Sequence, residues 1–417
     1  MVQSPRSHRF GVPSLHRLIV VPRLQILSVF ICINFLSGCL SGENRKTFAV
    51  RDSAGVRIST NEAVPFEDLP LWEIEEEPML VVGDRLDDPS HELFRVAAGL
   101  RLPDGSVVFS NLGTRNVRHF DSAGNLIREL GREGEGPGEF RVPVGIHRAG
   151  GDTLIVWDER LRRFSYFDGD GEFIASVNSH SSTSNPRFVG QFSDGSVVFA
   201  DRRFNIPDEG MAPTPITFIR LGTTGAVMDS LPTIQGSPMG RLGTTGMIGG
   251  PLFPPLPAMV VWNGLFFVND GTQPSMKGYS PDGKLAAEIH WHQPLFTVQS
   301  EDVEEWVETR MSNVAVEQRD RVQAMIDAQP VPDVFPVHGD FIADAGGRLW
   351  VERYHKPLDS PGSSWWIFNE EGRIIGRAAL PEGVRVLEIG EDYLLWVRTD
   401  EMEVERVELF FFLRGDG

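Results

Sequence analysis

The sequence predicts an all-β fold assembled from one repeated unit, and three observations carry the prediction. First, the glycine-rich, acidic stretch Leu130-Gly-Arg-Glu-Gly-Glu-Gly-Pro-Gly-Glu-Phe140 has a fainter copy upstream, Val82-Gly-Asp-Arg-Leu-Asp-Asp-Pro-Ser-His-Glu-Leu-Phe94. Placing Phe94 on Phe140 also places Gly99 on Gly145 and Gly105 on Gly151, an offset of 46 residues that marks a repeated supersecondary element. Second, short runs rich in Val, Ile and Phe are separated by Gly and Asp, the residues that tight hairpin turns prefer. Third, those runs fall into six sets with one grammar: an apolar strand, a polar loop, a second strand, a turn with Gly, a third strand. Six sets imply the six blades of a β-propeller.

The sets follow in order. Ser106–Ser110, Val117–Asp121 and Leu126–Leu130 form the first; Thr153–Asp158, Phe164–Asp168 and Phe173–Val177 the second. Ser196–Ala200, Ile216–Leu221 and Val227–Leu231 form the third; Leu265–Asn269, Met276–Ser280 and Leu285–His290 the fourth. Arg348–Glu352, Trp365–Asn369 and Ile374–Ala379 form the fifth; Tyr393–Arg398 and Val404–Leu413 the last. The leading strand of each set is nearly all apolar, as suits burial on both faces near a propeller's axis, whereas Arg163-Phe-Ser-Tyr-Phe167 alternates and fits a position further out. The sixth set lacks an outer strand. Met79-Leu-Val-Val82 is expected to supply it, so that the N-terminal strand closes the last blade and removes exposed edges.

Two insertions interrupt the rhythm. Residues 233–259, rich in Gly, Pro and Met, read as a long irregular loop, functional or disordered. Residues 301–328 read as the one inserted α-helix, with Ser300 as N-cap, Glu301 and Asp302 in the first turn, and Val303, Trp306, Val307, Met311 and Val314 on one apolar face.

The N-terminus is an address. Four arginines precede an apolar run from Leu24 to Leu36, too short to span a bilayer comfortably and suited to a signal peptide. It ends in Leu36-Ser-Gly-Cys39, which resembles the lipobox of bacterial lipoproteins, where the cysteine receives the lipid. The expected division is therefore 1–38 signal peptide, 39–46 lipidated tether and 47–417 propeller. The chain would be exported and held at a membrane through Cys39. The residue after that cysteine is not Asp, which by the same resemblance points to the outer membrane.

Charge excludes one class of partner. The 417 residues carry a formal net charge of −19, and removing a signal with four arginines and no acid takes it to −23. So acidic a body is unsuited to nucleic acid, which needs clustered positive charge. With Cys39 lipidated, no cysteine pair remains for a disulfide in the mature chain. A monomer is expected.

The Gly-Glu-Gly-Pro-Gly-Glu-Phe140 connector, the Asp121-x-x-Gly124 hairpin, Arg51-Asp-Ser-Ala-Gly-Val-Arg57 and Asp344-Ala-Gly-Gly-Arg-Leu-Trp-Val351 together resemble bacterial six-bladed β-propeller proteins related to NHL repeats. The resemblance covers nearly all of the mature chain and implies a propeller on a lipid anchor. Members with lactonase-like or lyase activity hold an axial divalent ion.

Two candidate sites follow. Loops after the leading strands carry Arg115, Arg160, Arg202, Arg353 and Arg398, a face suited to an anionic ligand because guanidinium matches carboxylate or phosphate. Asp158, Asp201, Asn269, Asp270 and Glu352 offer hard oxygen ligands for Ca2+. Other matches fail: Gly131-x-x-Gly-x-Gly-x-Gly138 has two acids, with Glu139 directly after it, and no Lys for phosphate, and His290-Trp-His292 has no third zinc ligand nearby. The sequence therefore supports a non-catalytic module binding a small anionic ligand or an envelope protein. The alternative is an NHL-like lyase or lactonase-type hydrolase with a divalent metal in the central channel.

Overall fold

The computed structural model describes residues 47–414 apart from 86, 149–151, 181–185, 205, 244–245, 357–358 and 360–361. The expected signal peptide, Cys39 and the tether lie outside the described residues. Thr47–Gly417 forms one compact unit. Among the described residues, no helix is long and apolar enough to cross a membrane.

Among the described residues, six sheets follow one another along the chain. The first is Val96–Arg101, Val107–Asn111, Asn116–Phe120 and Leu126–Leu130, all antiparallel; the second repeats it as Pro143–Arg148, Leu154–Asp158, Arg163–Phe167 and Phe173–Asn178. The third opens with Pro186–Gln191 and Val197–Arg202, the fourth with Ala258–Trp262 and Leu265–Asn269, the fifth with His338–Ala343 and Leu349–Arg353, the sixth with Val384–Ile389 and Tyr393–Thr399. The architecture is that of a β-propeller, each sheet meandering outward from its first strand. Leu80–Val82 pairs antiparallel with Glu405–Leu413, so the chain's beginning and end share one sheet.

Each sheet packs on the next, and the sixth on the first. Opening strands meet directly between the first and second sheets, the third and fourth, the fourth and fifth, and the sixth and first. Ile155, Trp157 and Phe164 pack on Val197 and Phe199 between the second and third. Trp350, Trp365 and Ile367 pack on Leu394, Trp396 and Phe410 between the fifth and sixth. Large apolar side chains at the sheet-to-sheet seams drive this closure, since buried apolar area dominates folding.

Five expectations need correction. The strands expected nearest the axis are second in each sheet, with another strand inside them. Those inner strands hide from a pattern reading because glycine, polar and apolar residues mix along them, as in Pro143-Val-Gly-Ile-His-Arg148. The repeat is also one residue longer than the glycines suggest. Val96 to Pro143, Val107 to Leu154, Asn116 to Arg163 and Leu126 to Phe173 are all spaced by 47 residues. Leu93, not Phe94, therefore occupies the place of the buried Phe140, and Phe94 is 62% exposed.

The inserted helix is two helices, α1 (Ser300–Ser312) and α2 (Arg319–Asp327). Between them Asn313 caps α1 and Ala315 turns extended (ψ 142°), after Ser and Asn, which compete with the helical backbone for hydrogen bonds. The N-cap is Gln299, not Ser300: its backbone N–H donates to Asp302 Oδ2 at 2.9 Å in a capping box. Residues 233–259 are largely not loop. Val227–Leu242 is a 16-residue strand that forms a long hairpin with Met211–Leu221, and Met247–Gly249 pairs back on it. Its prolines fall where strands tolerate them, Pro213 facing Pro238 beside a register shift. Among the described residues of this segment, 250–257 is the irregular stretch.

Candidate functional site

The acids and amides at the ends of the second strands turn out to be structural. Asp158 is fully buried; its carboxylate accepts from Arg141 N (2.6 Å), Val142 N (3.0 Å) and Leu161 N (2.7 Å), tying the incoming connector to the following turn. Asn111 does the same one sheet earlier, accepting from Phe94 N at 2.9 Å. Asn269 donates to the carbonyls of Gln273 and Ser275 and accepts from Gly271 N. Asp270 accepts from Thr272 N at 3.0 Å, and Asp201 is buried with Arg203 Nε at 3.3 Å. Each of these groups serves its own sheet. Among the described residues no three His, Cys, Asp or Glu side chains converge on a point that could hold a metal ion, and a carboxylate already accepting three backbone N–H groups, as at Asp158, is a poor calcium ligand.

The arginines divide likewise. Arg115 pairs with Glu133 of the connector, and Arg398 Nε lies 3.0 Å from Glu408 Oε2. Arg353 stacks over Phe66 (4.0 Å to the ring centroid), and burial pulls its guanidinium below the ordinary value. Arg160 is exposed. Of the five, Arg202 borders a large cavity, and so does Glu352 from the oxygen-ligand set.

That cavity, of about 760 Å³, is built where the two insertions meet the third and fifth sheets. The third sheet contributes Arg187 and Arg202 from its two inner strands and Ser237 and Met239 from the long hairpin; the fifth contributes Gly339, Asp340, Glu352 and Tyr354. Residues 250–257 and α1, through Trp306, close it on the apolar side.

This apolar wall has its own core. Phe253 packs on Phe335 (ring centroids 4.9 Å) and edge-on to Trp306 (6.0 Å), and Phe335 on Tyr354 (5.7 Å). Hydrogen bonds from Leu252 N to Pro330 O and Gln329 Nε2 to Gly250 O, both 2.9 Å, tie residues 250–257 to the end of the helical insertion. Lys356 Nζ, 3.0 Å from Asp302 Oδ1, fastens α1 to the fifth sheet. Phe253 itself has φ +47°, a left-handed conformation that costs a bulky residue energy and that the surrounding packing must hold.

The polar wall is held with equal care. A Cβ on Gly339 would stand 2.1 Å from Glu352 Oε2, so glycine there makes room for the carboxylate. Oε2 accepts from Asp340 N at 3.0 Å. Burial raises the Glu352 carboxyl above the ordinary range and the neighbouring Asp340 charge pushes it further, against the pull of that hydrogen bond. Burial also lifts the Tyr354 hydroxyl to about 12. A second cavity of about 340 Å³ shares Asp340 and Glu352 and is bounded by Arg385, so the acidic pair lies between two open spaces.

Pattern reading misses Arg187 and Asp340 because both lie on inner strands it does not see. Phe253 and Trp306 carried a usable signal, an aromatic in each of two insertions, but nothing in the spacing says that the insertions touch.

No protein-family model and no curated protein matches the sequence. Among solved structures the chain is similar to a member of the DUF4221 family from Bacteroides vulgatus, at 12% identity and TM-score 0.49, over 83% of this chain and 99% of that one. It is also similar to a catalytically inactive virginiamycin B lyase from Staphylococcus aureus with quinupristin, at 11% identity and TM-score 0.40, over 88% and 100%. A gluconolactonase from Xanthomonas campestris is similar at 14% identity and TM-score 0.38, over 76% and 87%.

Proposed function

We propose that this protein is a six-bladed propeller, lipid-anchored at Cys39 in the cell envelope, that binds an organic ligand without transforming it. The cavity between the insertions carries the reading. A space of about 760 Å³ falls within the range of small-molecule sites, which are concave, mostly apolar and equipped with a few placed polar groups. Here Phe253, Trp306 and Tyr354 supply the first feature and Arg187, Arg202 and Glu352 the second. The enzyme alternative, a lyase or lactonase-type hydrolase working through a divalent ion, draws on Asp158, Asp201, Asn269, Asp270 and Glu352; among the described residues no three of the acids converge on one point.

The test is titration of the full chain with the apolar fluorophore anilinonaphthalene sulfonate. We expect saturable binding of a single dye per chain, weakened about tenfold or more by Trp306→Ala, as for a buried aromatic anchor. Dye binding that is absent, or indifferent to Trp306→Ala and Phe253→Ala, sinks the reading. A calcium titration against EDTA, followed by melting temperature, tests the alternative; a large stabilisation by calcium would restore it. For the anchor, Cys39→Ala is expected to move the protein from the membrane to the soluble fraction of the envelope.

A further inference from the structure

The charges lining the cavity are arranged for a ligand that carries both signs. Arg187 faces Ala200 across the two inner strands of the third sheet, and Arg202 lies two residues beyond Ala200. Side chains alternate along a strand, so both guanidiniums stand on one face of that sheet. Among the described residues neither makes an ion pair or hydrogen bond, although the chain holds 58 acids against 39 bases. On the fifth sheet Glu352 uses one oxygen on Asp340 N and, among the described residues, leaves the other without a partner, and the Asp340 carboxylate has none there. Opposite charges thus border one cavity and do not meet across it.

We propose that the cavity recognises a zwitterionic amphiphile, most simply a short peptide with free termini and apolar side chains. Its carboxylate would take Arg187 and Arg202, its ammonium Glu352 and Asp340, and its apolar side chain the wall of Phe253 and Trp306. This rests on the ligand-binding reading above and names the ligand for that site. A plain anion satisfies the arginines and is repelled by the acids; a plain cation does the reverse. A zwitterion of matching length converts both unpaired sets into charge-assisted hydrogen bonds, and the terminal charges give orientation while the aromatic wall gives contact area.

The experiment uses the full chain and four probes: phenylalanyl-leucine, its N-acetyl form, its amide, and the doubly blocked form, each titrated by displacement of anilinonaphthalene sulfonate. We expect the free dipeptide to bind at least tenfold more tightly than either singly blocked form. Arg187→Ala with Arg202→Ala should abolish the preference for the free carboxylate, and Glu352→Gln the preference for the free ammonium. Melting curves of the variants establish that they fold. Four probes of equal affinity, or dye binding that depends on Trp306 and that no probe displaces, overturn the zwitterion while leaving the cavity a binding site. Absence of Trp306-dependent dye binding removes both.

Discussion

The connector at 131–140 and the insertion at 250–257 both break up the strand pattern with glycine or proline, and they do opposite things. In the connector every charge is used. Glu139 meets Arg132 at 2.8 Å, Arg141 lies between Glu133 (3.3 Å) and Glu135 (3.2 Å), and the buried Arg163 donates to the carbonyls of Glu135, Gly136 and Glu139 at 2.7–3.0 Å. Phe140 closes the stretch, fully buried. The insertion instead props Phe253 in a left-handed conformation, leaves Leu256 42% exposed, and holds open a space bordered by unpaired charges. Satisfied polar groups make a joint between blades. Unsatisfied ones, held apart by packing, make a site.

The sharpest way to break that contrast is Asp158→Ala. Three backbone N–H groups lose their acceptor inside the protein, and leaving buried donors unpaired costs about 1–3 kcal/mol each. We expect a loss of roughly 4 kcal/mol in unfolding free energy by denaturant titration, with dye affinity per folded molecule unchanged. A variant of full stability whose dye binding fails would move Asp158 from the joint to the site.

The joint was legible in the sequence and the site was not, for one physical reason. Turns and connectors are local: Asp-x-x-Gly at Asp121, the glycines around Glu135 and the Leu80–Val82 strand each announce themselves within a dozen residues. The cavity depends on stretches far apart in sequence coming together, residues 250–257 against Phe335 and Trp306, with Arg187 of the third sheet and Glu352 of the fifth lining one space. Even within the local signal, glycine spacing misled by one residue, because Leu93 fills the hole that Phe140 fills in the next sheet. The polar pattern marked Arg202 and Glu352, but also eight other positions, of which Arg160 is exposed and the others are engaged elsewhere.

A second contrast concerns histidines. In the regular region His91 has both ring nitrogens engaged, by Gly83 N and Gly124 O, each at 3.0 Å. Beside the cavity wall His338 is fully buried, with Nδ1 on Gly339 O at 2.8 Å and Nε2 unpartnered. Burial lowers its imidazole to about 4, only partly opposed by the carbonyl of Gly339 and the charge of Asp270. The unfolded chain therefore takes up this proton first as pH falls, and stability drops between the unfolded value near 6.5 and the folded value near 4. We expect His338 alone to account for about 2 kcal/mol lost between pH 7 and pH 5. Urea melts at the two values should show the drop shrinking by that amount in His338→Phe. An unaltered drop would assign the acid sensitivity elsewhere, for instance to His147, whose imidazole desolvation also lowers to about 4.

The smallest effect is the most informative, because it has an unusual sign. Glu352 is a partly buried carboxylate whose ionisation burial opposes, so its charge costs stability at neutral pH and costs nothing once both folded and unfolded states are protonated. Glu352→Gln keeps the shape and an oxygen that can accept from Asp340 N, and removes the charge. We expect the variant to be more stable than the natural protein at pH 7 by about 1 kcal/mol or less, solvent reaching the group and reducing the gain. The difference should vanish near pH 4. Losing a hydrogen-bonded structural carboxylate gives the opposite result, as expected at Asp158. A gain in stability together with lost preference for a free ammonium would mean the charge is kept at this position for what it binds, the trade that functional sites make against the fold. A loss of stability at pH 7 would instead make Glu352 part of the fifth sheet's framework, and the two sides of the comparison would be one.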